Sequence, residues 1–204
     1  MKDDVPLAPA GARVEARLAA SLLVMRQDAA GVSLLMARRA AHHRFMPGVL
    51  VFPGGAVDAA DRHAKAARPL KPAVRARLDS RLESGLAEAL AHAAARELRE
   101  EVGLSLGDPP DLSVLDLMCR AITPPDRSMR FDAFFFLADA AHVSGDLCAS
   151  AELEEPGWYT LEQAFAGDLA AATRAVLMQF QRWLAHHERD GGLPTLRDRQ
   201  WVLE

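Results

Sequence analysis

The chain has 204 residues, half of them hydrophobic and a quarter charged, which is the composition of a single globular domain and excludes a disordered chain. Its formal net charge of −4 excludes the overall basic field that recruits nucleic acid or anionic membranes, so we expect neither as a partner. Arginine supplies 21 of the 24 basic residues, and its planar guanidinium suits two-point binding of phosphate or carboxylate. Two cysteines are too few for a disulfide framework, and the sequence contains neither a membrane-spanning apolar run nor a signal peptide. Abundant Ala and Arg are typical of a GC-rich bacterial genome, so we expect a cytoplasmic bacterial protein.

The first part of the chain is dominated by predicted strands. Residues 1–12, rich in Pro, Ala and Gly, predict a flexible tail. Apolar runs then predict three strands, of which the first two form a hairpin, over residues 13–25, 32–37 and 49–52. The third run ends at Pro53-Gly54-Gly55, where glycine permits either an unusual backbone conformation or the close approach of another group.

The rest of the chain alternates helices with strands. An Arg-rich segment with two prolines carries a predicted helix over 73–82, and strong helix formers then predict a helix over 86–102 that ends at Gly103. Two longer strands and a short extended piece are predicted over 112–122, 130–137 and 156–160, followed by helices over 161–165 and 169–188. This order predicts one mixed α/β layered domain over residues 1–204, with C-terminal helices within 161–190. The apolar face of the last helix could form a homodimer interface, although packing on the domain itself is favoured.

Three glutamates share one face of the helix predicted over 86–102. Glu97, Glu100 and Glu101 are spaced i, i+3 and i+4, so like charges face one another at a small cost to the isolated helix. A solvated charged face is the ordinary explanation of such a pattern. The alternative is a site for a divalent cation such as Mg²⁺, which prefers carboxylate oxygens and keeps water and phosphate oxygens in its other positions.

The neighbours of these glutamates favour the second explanation. The segment resembles the Nudix box, Gly-x5-Glu-x7-Arg-Glu-U-x-Glu-Glu-x-Gly-U, where U is a bulky aliphatic residue. Gly55 supplies the opening glycine, and every fixed position of the helical half is matched by Glu88, Arg96, Glu97, Leu98, Glu100, Glu101, Gly103 and Leu104. One departure is plain, because 32 residues separate Gly55 from Glu88 where the motif has five. We therefore expect an inserted helical flap over about 58–85, which loop-closure entropy tolerates.

The resemblance implies a Nudix fold, an α/β/α sandwich around a mixed β-sheet, and a divalent-metal-dependent pyrophosphohydrolase. It implies that Glu97, Glu100 and Glu101 hold Mg²⁺ or Mn²⁺, that the Gly54 carbonyl contributes a ligand and that Glu97 also lies near the attacking water. The role of Glu88 stays open. Nine residues place it opposite Glu97 on a straight helix, so it either braces Arg96, lies in the preceding loop or acts directly.

A second signature lies upstream. The run Leu35-Met36-Ala37-Arg38-Arg39-Ala40-x3-Arg44-x3-Gly48-x3-Phe52-Pro53-Gly54-Gly55 is similar to the signature of coenzyme A diphosphatases, with nine of eleven fixed positions matched. The resemblance implies hydrolysis of coenzyme A or acyl-CoA to 3′,5′-ADP and (acyl-)4′-phosphopantetheine. Arg39 and Arg44 suit bidentate binding of its phosphates, unless they are only surface charges.

Three readings of the function remain open at this stage. The same chemistry could act on ADP-ribose, NADH or another nucleoside diphosphate derivative, and a non-catalytic domain that senses a nucleotide is a further alternative. The acidic run Glu152, Glu154 and Glu155 could supply another base or ligand, although a solvated turn is the favoured interpretation.

Overall fold

The computed structural model describes residues 5–9, 13–29, 31–42, 46–186 and 192–204. A nine-stranded mixed sheet forms the centre of the molecule, with the strand order β3-β2-β1-β6-β5-β8-β9; β4 pairs with β1, and β7 with β2. The strands are Arg17–Asp28 (β1), Gly31–Arg39 (β2), Leu50–Val51 (β3), Gly54–Ala56 (β4), Asp116–Ile122 (β5), Phe131–Asp139 (β6), Leu153–Thr160 (β7), Pro194–Arg197 (β8) and Gln200–Leu203 (β9). The four α-helices are Pro72–Asp79 (α1), Leu86–Val102 (α2), Leu161–Ala166 (α3) and Ala171–His186 (α4). The predicted mixed α/β sandwich is confirmed, because one buried cluster packs α1 and α2 on one face of the sheet and another packs α3 and α4 on the opposite face.

Strand β1 changes its antiparallel partner along its length. Its last residues pair with β2, from Met25 opposite Leu34 onward, whereas Ala19–Ser21 pair with β4. Its other edge pairs in parallel with β6 over the whole interval from Arg17 to Met25. The two antiparallel partners therefore diverge, and the end of β2 that carries Arg39 and the glycines of β4 border the same region of the sheet.

Gly54 and Gly55 lie in a short strand of their own, β4, after the third predicted strand has ended as expected before Pro53. Both residues belong to β4 and pair with Ser21 and Ala20. A β-carbon built on Gly54 would stand 2.6 Å from the carbonyl oxygen of Ala20. Of the two reasons for glycine that the sequence offers, close approach is the one that applies here.

Helix α2 has the predicted limits. Ala and Leu fill its buried face, which packs on β1 and β4, and its last turn is followed by Gly103 at φ 77°, whose N–H donates to the carbonyl of Arg99. This left-handed residue is the helix stop for which glycine is preferred. A β-carbon at Gly103 would also stand 2.6 Å from the carbonyl oxygen of Asp146, so the loop that crosses the end of the helix requires glycine at this position as well.

The inserted segment is part of the hydrophobic core. Leu70, Val74 and Leu78 are buried, and α1 packs against α2. Arg77 of α1 donates to the carbonyls of Leu117 and Gly192, which ties the segment to the sheet. The flap expected over 58–85 is therefore a packed helical layer in this structure.

The C-terminal region contains both predicted helices and a hairpin that the sequence did not indicate. Val176, Leu177 and Phe180 of α4 are fully buried against the sheet, so the apolar face suggested as a dimer interface is used within the domain. After the helices, β8 and β9 add two strands, and β8 pairs in parallel with β5.

The N-terminal segment departs from the expected flexible tail over the part that the structure describes. Leu7 forms a bridge with Arg127, and the N–H of Ala8 donates to the carbonyl of Asp126. Arg127, itself buried, donates to the carbonyl of Val5. Within the described residues, no helix has the length and apolar character needed to cross a bilayer.

Candidate active site

Glu101 is a buried carboxylate at the centre of the predicted acidic face. It lies in the last turn of α2 with 7% of its surface exposed, and its Oε2 accepts a hydrogen bond of 2.8 Å from the backbone N–H of Gly54. Burial raises the pKa of Glu101 to about 8, with smaller contributions from the negative charges of Glu97 and Glu152. The helix and β4 thus hold this carboxylate in a fixed place where added positive charge is strongly favoured.

Glu97 lies against the second glycine of the pair. A β-carbon built on Gly55 would stand 2.6 Å from Cδ of Glu97 and still closer to its Oε1, so only glycine leaves room for this carboxylate. Burial raises the pKa of Glu97, and the nearby charges of Glu100 and Glu152 act in the same direction, while Arg96 opposes them. The pairing of β4 with β1 is what brings Gly55 to this position.

Arg96 joins three carboxylates. Its Nη1 donates to Oε1 of Glu97 at 2.8 Å and to Oε2 of Glu100 at 3.1 Å. Its Nε and Nη2 donate to the two carboxylate oxygens of Asp61, both at 3.1 Å, and Nη2 also donates to the carbonyl of Ala56. Burial acts to lower the pKa of Arg96, but the hydrogen bonds that it donates to Asp61 and Glu97 and the charges of these carboxylates raise it, so the guanidinium stays charged.

Asp61 is a buried partner of Arg96 that the sequence reasoning missed. It lies in a 3₁₀ turn, Ala60–His63, with 4% of its surface exposed. The signal that could have identified it is its spacing, because five residues separate it from Gly55, as the opening of the motif requires.

Glu88 lies in the first turn of α2, which removes the preceding loop from the alternatives left open for it. Its Oε1 accepts from the N–H of Leu70 at 3.4 Å and lies 3.4 Å from Nη2 of Arg75. The brace between Glu88 and Arg96, another of the open alternatives, does not form. The described contacts of Arg96 are with Asp58, Asp61, Glu97, Glu100 and the carbonyl of Ala56. Glu88 instead fastens the inserted segment to the helix.

Arg39, the last residue of β2, lies near the acidic cluster. Burial lowers its pKa, and the negative charges of Glu101 and Glu152 act against this shift. The backbone carbonyl of Glu152 accepts from the N–H of Ala40, which holds the 152 loop beside the end of β2. Glu152 also raises the pKa of both Glu97 and Glu101, so the structure brings this loop carboxylate into the site.

The remaining predicted residues differ in their placement. Arg44 falls outside the described residues. Glu154 and Glu155 lie in strand β7 and not in a turn, and Oε2 of Glu155 pairs with Nε of Arg38 on β2 at 3.2 Å. Arg38 also donates to the carbonyl of Gly48 and so closes the loop that follows β2.

The chemistry of this donor set fits a hard divalent cation. Glu97, Glu100 and Glu101 project from one stretch of α2, and the raised pKa values of Glu97 and Glu101 show that their negative charge is incompletely compensated. Over the described ranges, no three His, Cys, Asp or Glu side chains are already arranged as a ligand set. Arg96 Nη1 bonds both Glu97 and Glu100, so a cation would compete with this guanidinium for their oxygens.

Comparisons with known proteins agree with this geometry. The NUDIX domain family matches residues 83–180, which begin just before α2 and extend into α4. The match does not include strands β1–β4, because the inserted segment lies between these strands and α2 in the sequence. No curated protein sequence matches the chain significantly.

Solved structures match most of the chain, including its N-terminal strands. A NUDIX hydrolase from Alicyclobacillus acidocaldarius has a TM-score of 0.63 and 28% identity, covering 82% of this chain and 91% of its own. The NUDIX domain of Shewanella oneidensis NrtR, in a cocrystal with ADP ribose, has a TM-score of 0.56 and 15% identity, covering 87% and 94%. A MutT NUDIX hydrolase from Burkholderia pseudomallei has a TM-score of 0.53 and 22% identity, covering 81% and 98%.

The chain contains a match to the NUDIX domain over residues 83–180 and shares its fold with Nudix hydrolases, a class that generally needs divalent metal ions. It is a pyrophosphohydrolase, an enzyme that hydrolyses diphosphate linkages.

Proposed function

We propose that this enzyme hydrolyses the diphosphate of coenzyme A or an acyl-CoA to 3′,5′-ADP and (acyl-)4′-phosphopantetheine. The observation that carries the proposal is the position of Arg39, which is electrostatically coupled to Glu101 and Glu152. Arg39 is also the central arginine of the segment that resembles the coenzyme A diphosphatase signature. A guanidinium beside the acidic helix would bind phosphate oxygens at the point where the anhydride must lie.

In the proposed reaction a water oxygen attacks one phosphorus of the diphosphate. A new P–O bond forms, the bond to the bridging oxygen breaks, and that oxygen leaves with the second phosphate group. Glu97 accepts the proton of the water, since its raised pKa makes it a better base than an exposed glutamate. Glu152 is the second candidate base because its charge acts on the same carboxylates.

Glu97, Glu100 and Glu101, together with the Gly54 carbonyl, would hold the Mg²⁺ or Mn²⁺. When bound, the cation would neutralise charge on the diphosphate and lower the pKa of a coordinated water. The hydrogen bond from Gly54 N–H keeps Glu101 oriented, and Arg96 keeps Glu97 and Glu100 within reach of each other. Arg39 and, by the signature, Arg44 bind the substrate phosphates.

ADP-ribose is the competing substrate. The Shewanella oneidensis domain with the same fold was cocrystallised with ADP ribose. Both candidate substrates contain an ADP moiety in a diphosphate linkage, so the catalytic residues alone do not choose between them. A domain that binds a nucleotide without hydrolysing it is the remaining alternative.

A substrate panel tests the proposal. The purified protein is incubated with coenzyme A, an acyl-CoA, ADP-ribose and NADH in Mg²⁺ or Mn²⁺, and the products are separated by chromatography. We expect 3′,5′-ADP from coenzyme A with the highest kcat/KM of the panel, and Glu97→Gln should reduce that rate at least about a hundredfold. A higher kcat/KM for ADP-ribose would refute the coenzyme A assignment, whereas tight nucleotide binding without any hydrolysis would support the sensor alternative.

A further inference from the structure

The inserted segment begins with a carboxylate that is locked onto the catalytic helix. Asp61 receives two hydrogen bonds from Arg96, at Nε and at Nη2, in the forked geometry that fixes a guanidinium plane. Its Oδ2 also accepts from the N–H of Asp58 at 2.8 Å, so a tight turn holds the carboxylate itself. The pair is shielded from solvent, since the Asp61 side chain is 3% exposed and that of Arg96 is 20% exposed.

The spacing of Asp61 matches the opening of the motif. Five residues lie between Gly55 and Asp61, whereas 32 lie between Gly55 and Glu88. We propose that Asp61, and not Glu88, occupies the first acidic position of the Nudix box in this chain and is a positioning residue that acts through Arg96. This inference rests on the proposed function, because it concerns how the same site retains its cation ligands.

The contacts of Arg96 explain how a residue outside the acidic face influences it. One nitrogen, Nη1, is shared between Glu97 and Glu100, while the other two nitrogens are held by Asp61 and the carbonyl of Ala56. Asp61 therefore fixes the direction of Nη1, and its negative charge compensates part of the positive charge of the guanidinium. Without Asp61, only the exposed carboxylate of Asp58, 3.9 Å from Nη2, would remain beside Glu97 and Glu100. More of the positive charge would then bear on the two glutamates and compete with a cation for them.

The assignment also moves the start of the insertion. If Asp61 belongs to the motif, the insertion begins after Asp61 and ends before α2. It then spans residues 62–85 instead of 58–85. Glu88 then has a different role. Its carboxylate accepts from the N–H of Leu70 and pairs with Arg75, both of which belong to the inserted segment. The two acids therefore bind different partners: Asp61 binds Arg96, and Glu88 binds residues of the insertion.

Mn²⁺ affinity of the folded protein tests the inference. We measure Mn²⁺ binding by isothermal titration calorimetry, well below the melting temperature, for wild type, Asp61→Asn and Glu88→Gln. Asp116→Asn serves as a matched control. Its carboxylate accepts a hydrogen bond of 2.8 Å from Nζ of Lys71, a residue of the same insertion, and makes no described contact with Arg96. We expect Asp61→Asn to weaken Mn²⁺ binding about tenfold, as is typical for residues that orient metal ligands, and the other two variants to stay within about twofold of wild type.

A second arm asks whether Asp61 acts through Arg96. Because Asp61→Asn leaves a poorly compensated guanidinium that could prevent folding, Asp61→Asn is also combined with Arg96→Gln, which removes that charge. The double variant should bind Mn²⁺ as Arg96→Gln alone does, within about twofold, because coupled residues are not additive. A further loss in the double variant, or a tenfold loss in Glu88→Gln with none in Asp61→Asn, would overturn the inference. If wild type bound no Mn²⁺ and hydrolysed no diphosphate, the proposed function itself would fail, which these outcomes distinguish.

Discussion

The carboxylate of Glu97 fills the space that a side chain on Gly55 would need, since a β-carbon on Gly55 would stand 2.6 Å from Cδ of Glu97. The contact joins a strand glycine to a helix glutamate that lies 42 positions later in the chain. It is possible because β4 pairs with β1 at the place where α2 crosses the sheet. The site therefore depends on the absence of a side chain as much as on the carboxylates.

Gly55→Ala should damage catalysis more than stability. The added methyl group meets the flexible end of Glu97, which can turn away, so the fold should survive while the carboxylate leaves its place. We expect kcat to fall at least about tenfold, with a melting temperature within about 5 °C of wild type. Gly157→Ala is the control, because its β-carbon would find its nearest neighbour, Cε2 of Tyr159, at 3.6 Å. Wild-type kcat in Gly55→Ala would show that the contact with Glu97 is not needed.

Glu101→Gln should remove a pH dependence of stability from the metal-free protein. With its pKa raised from 4.5 to about 8, Glu101 binds its proton more tightly in the folded state. Its contribution to stability is therefore full below about pH 4.5 and is lost as the pH rises through 8. A pKa shift corresponds to about 1.4 kcal/mol per unit, so the lost contribution is on the order of a few kcal/mol.

This prediction is checked by thermal unfolding in EDTA at pH 5 and at pH 8.5. Glu101→Gln should melt near the wild-type temperature at pH 5 and clearly above it at pH 8.5, while it loses hydrolysis in Mg²⁺. Glu83→Gln, at an exposed position of the insertion, serves as the control. Equal melting temperatures of wild type and Glu101→Gln at the higher pH would contradict a pKa near 8.

Arg39→Lys should weaken substrate binding although the charge is kept. An ammonium group cannot make the two-point contact of a guanidinium, and the shorter donor group would bind one phosphate oxygen less well. We expect kcat/KM for coenzyme A to fall about tenfold, mostly through KM, in steady-state assays. Arg26→Lys is a suitable control, because Arg26 pairs with Asp28 on the exposed far end of β1. An unchanged KM would exclude Arg39 from phosphate binding.

Leu78→Ala should show that the insertion is part of the folded core. Leu78 of α1 is fully buried in the cluster that contains α2, so its truncation leaves a cavity beneath the catalytic helix. Such truncations cost about 2–5 kcal/mol. Urea unfolding should show this loss in a single transition with an unchanged slope. A cost below about 0.5 kcal/mol, typical of exposed positions, would mean that the segment is a detachable flap.

Several elements were predictable because their signals are local. Helix α2 has the predicted limits, Leu86–Val102, since strong helix formers are followed at once by a glycine that can adopt positive φ. Strands β1 and β2 were found as a hairpin by their apolar runs, with limits shifted by a few residues. The hairpin of β8 and β9 was missed because its two turn residues, Asp198 and Arg199, have positive φ without the glycine or asparagine that usually marks such a turn.

The sequence by itself determined the class of chemistry. The helical repeat places Glu97, Glu100 and Glu101 on one face of α2 without any tertiary contact, and the motif around them resembles the Nudix box. Only the tertiary structure decided which groups surround those carboxylates. Asp61, Gly55 and Arg39 come from three separate parts of the chain and meet α2 through strand pairing and burial. The physical reason is that the periodicity of a helix can be read along the chain, whereas the partner of a buried charge is set by the folding of distant segments around it.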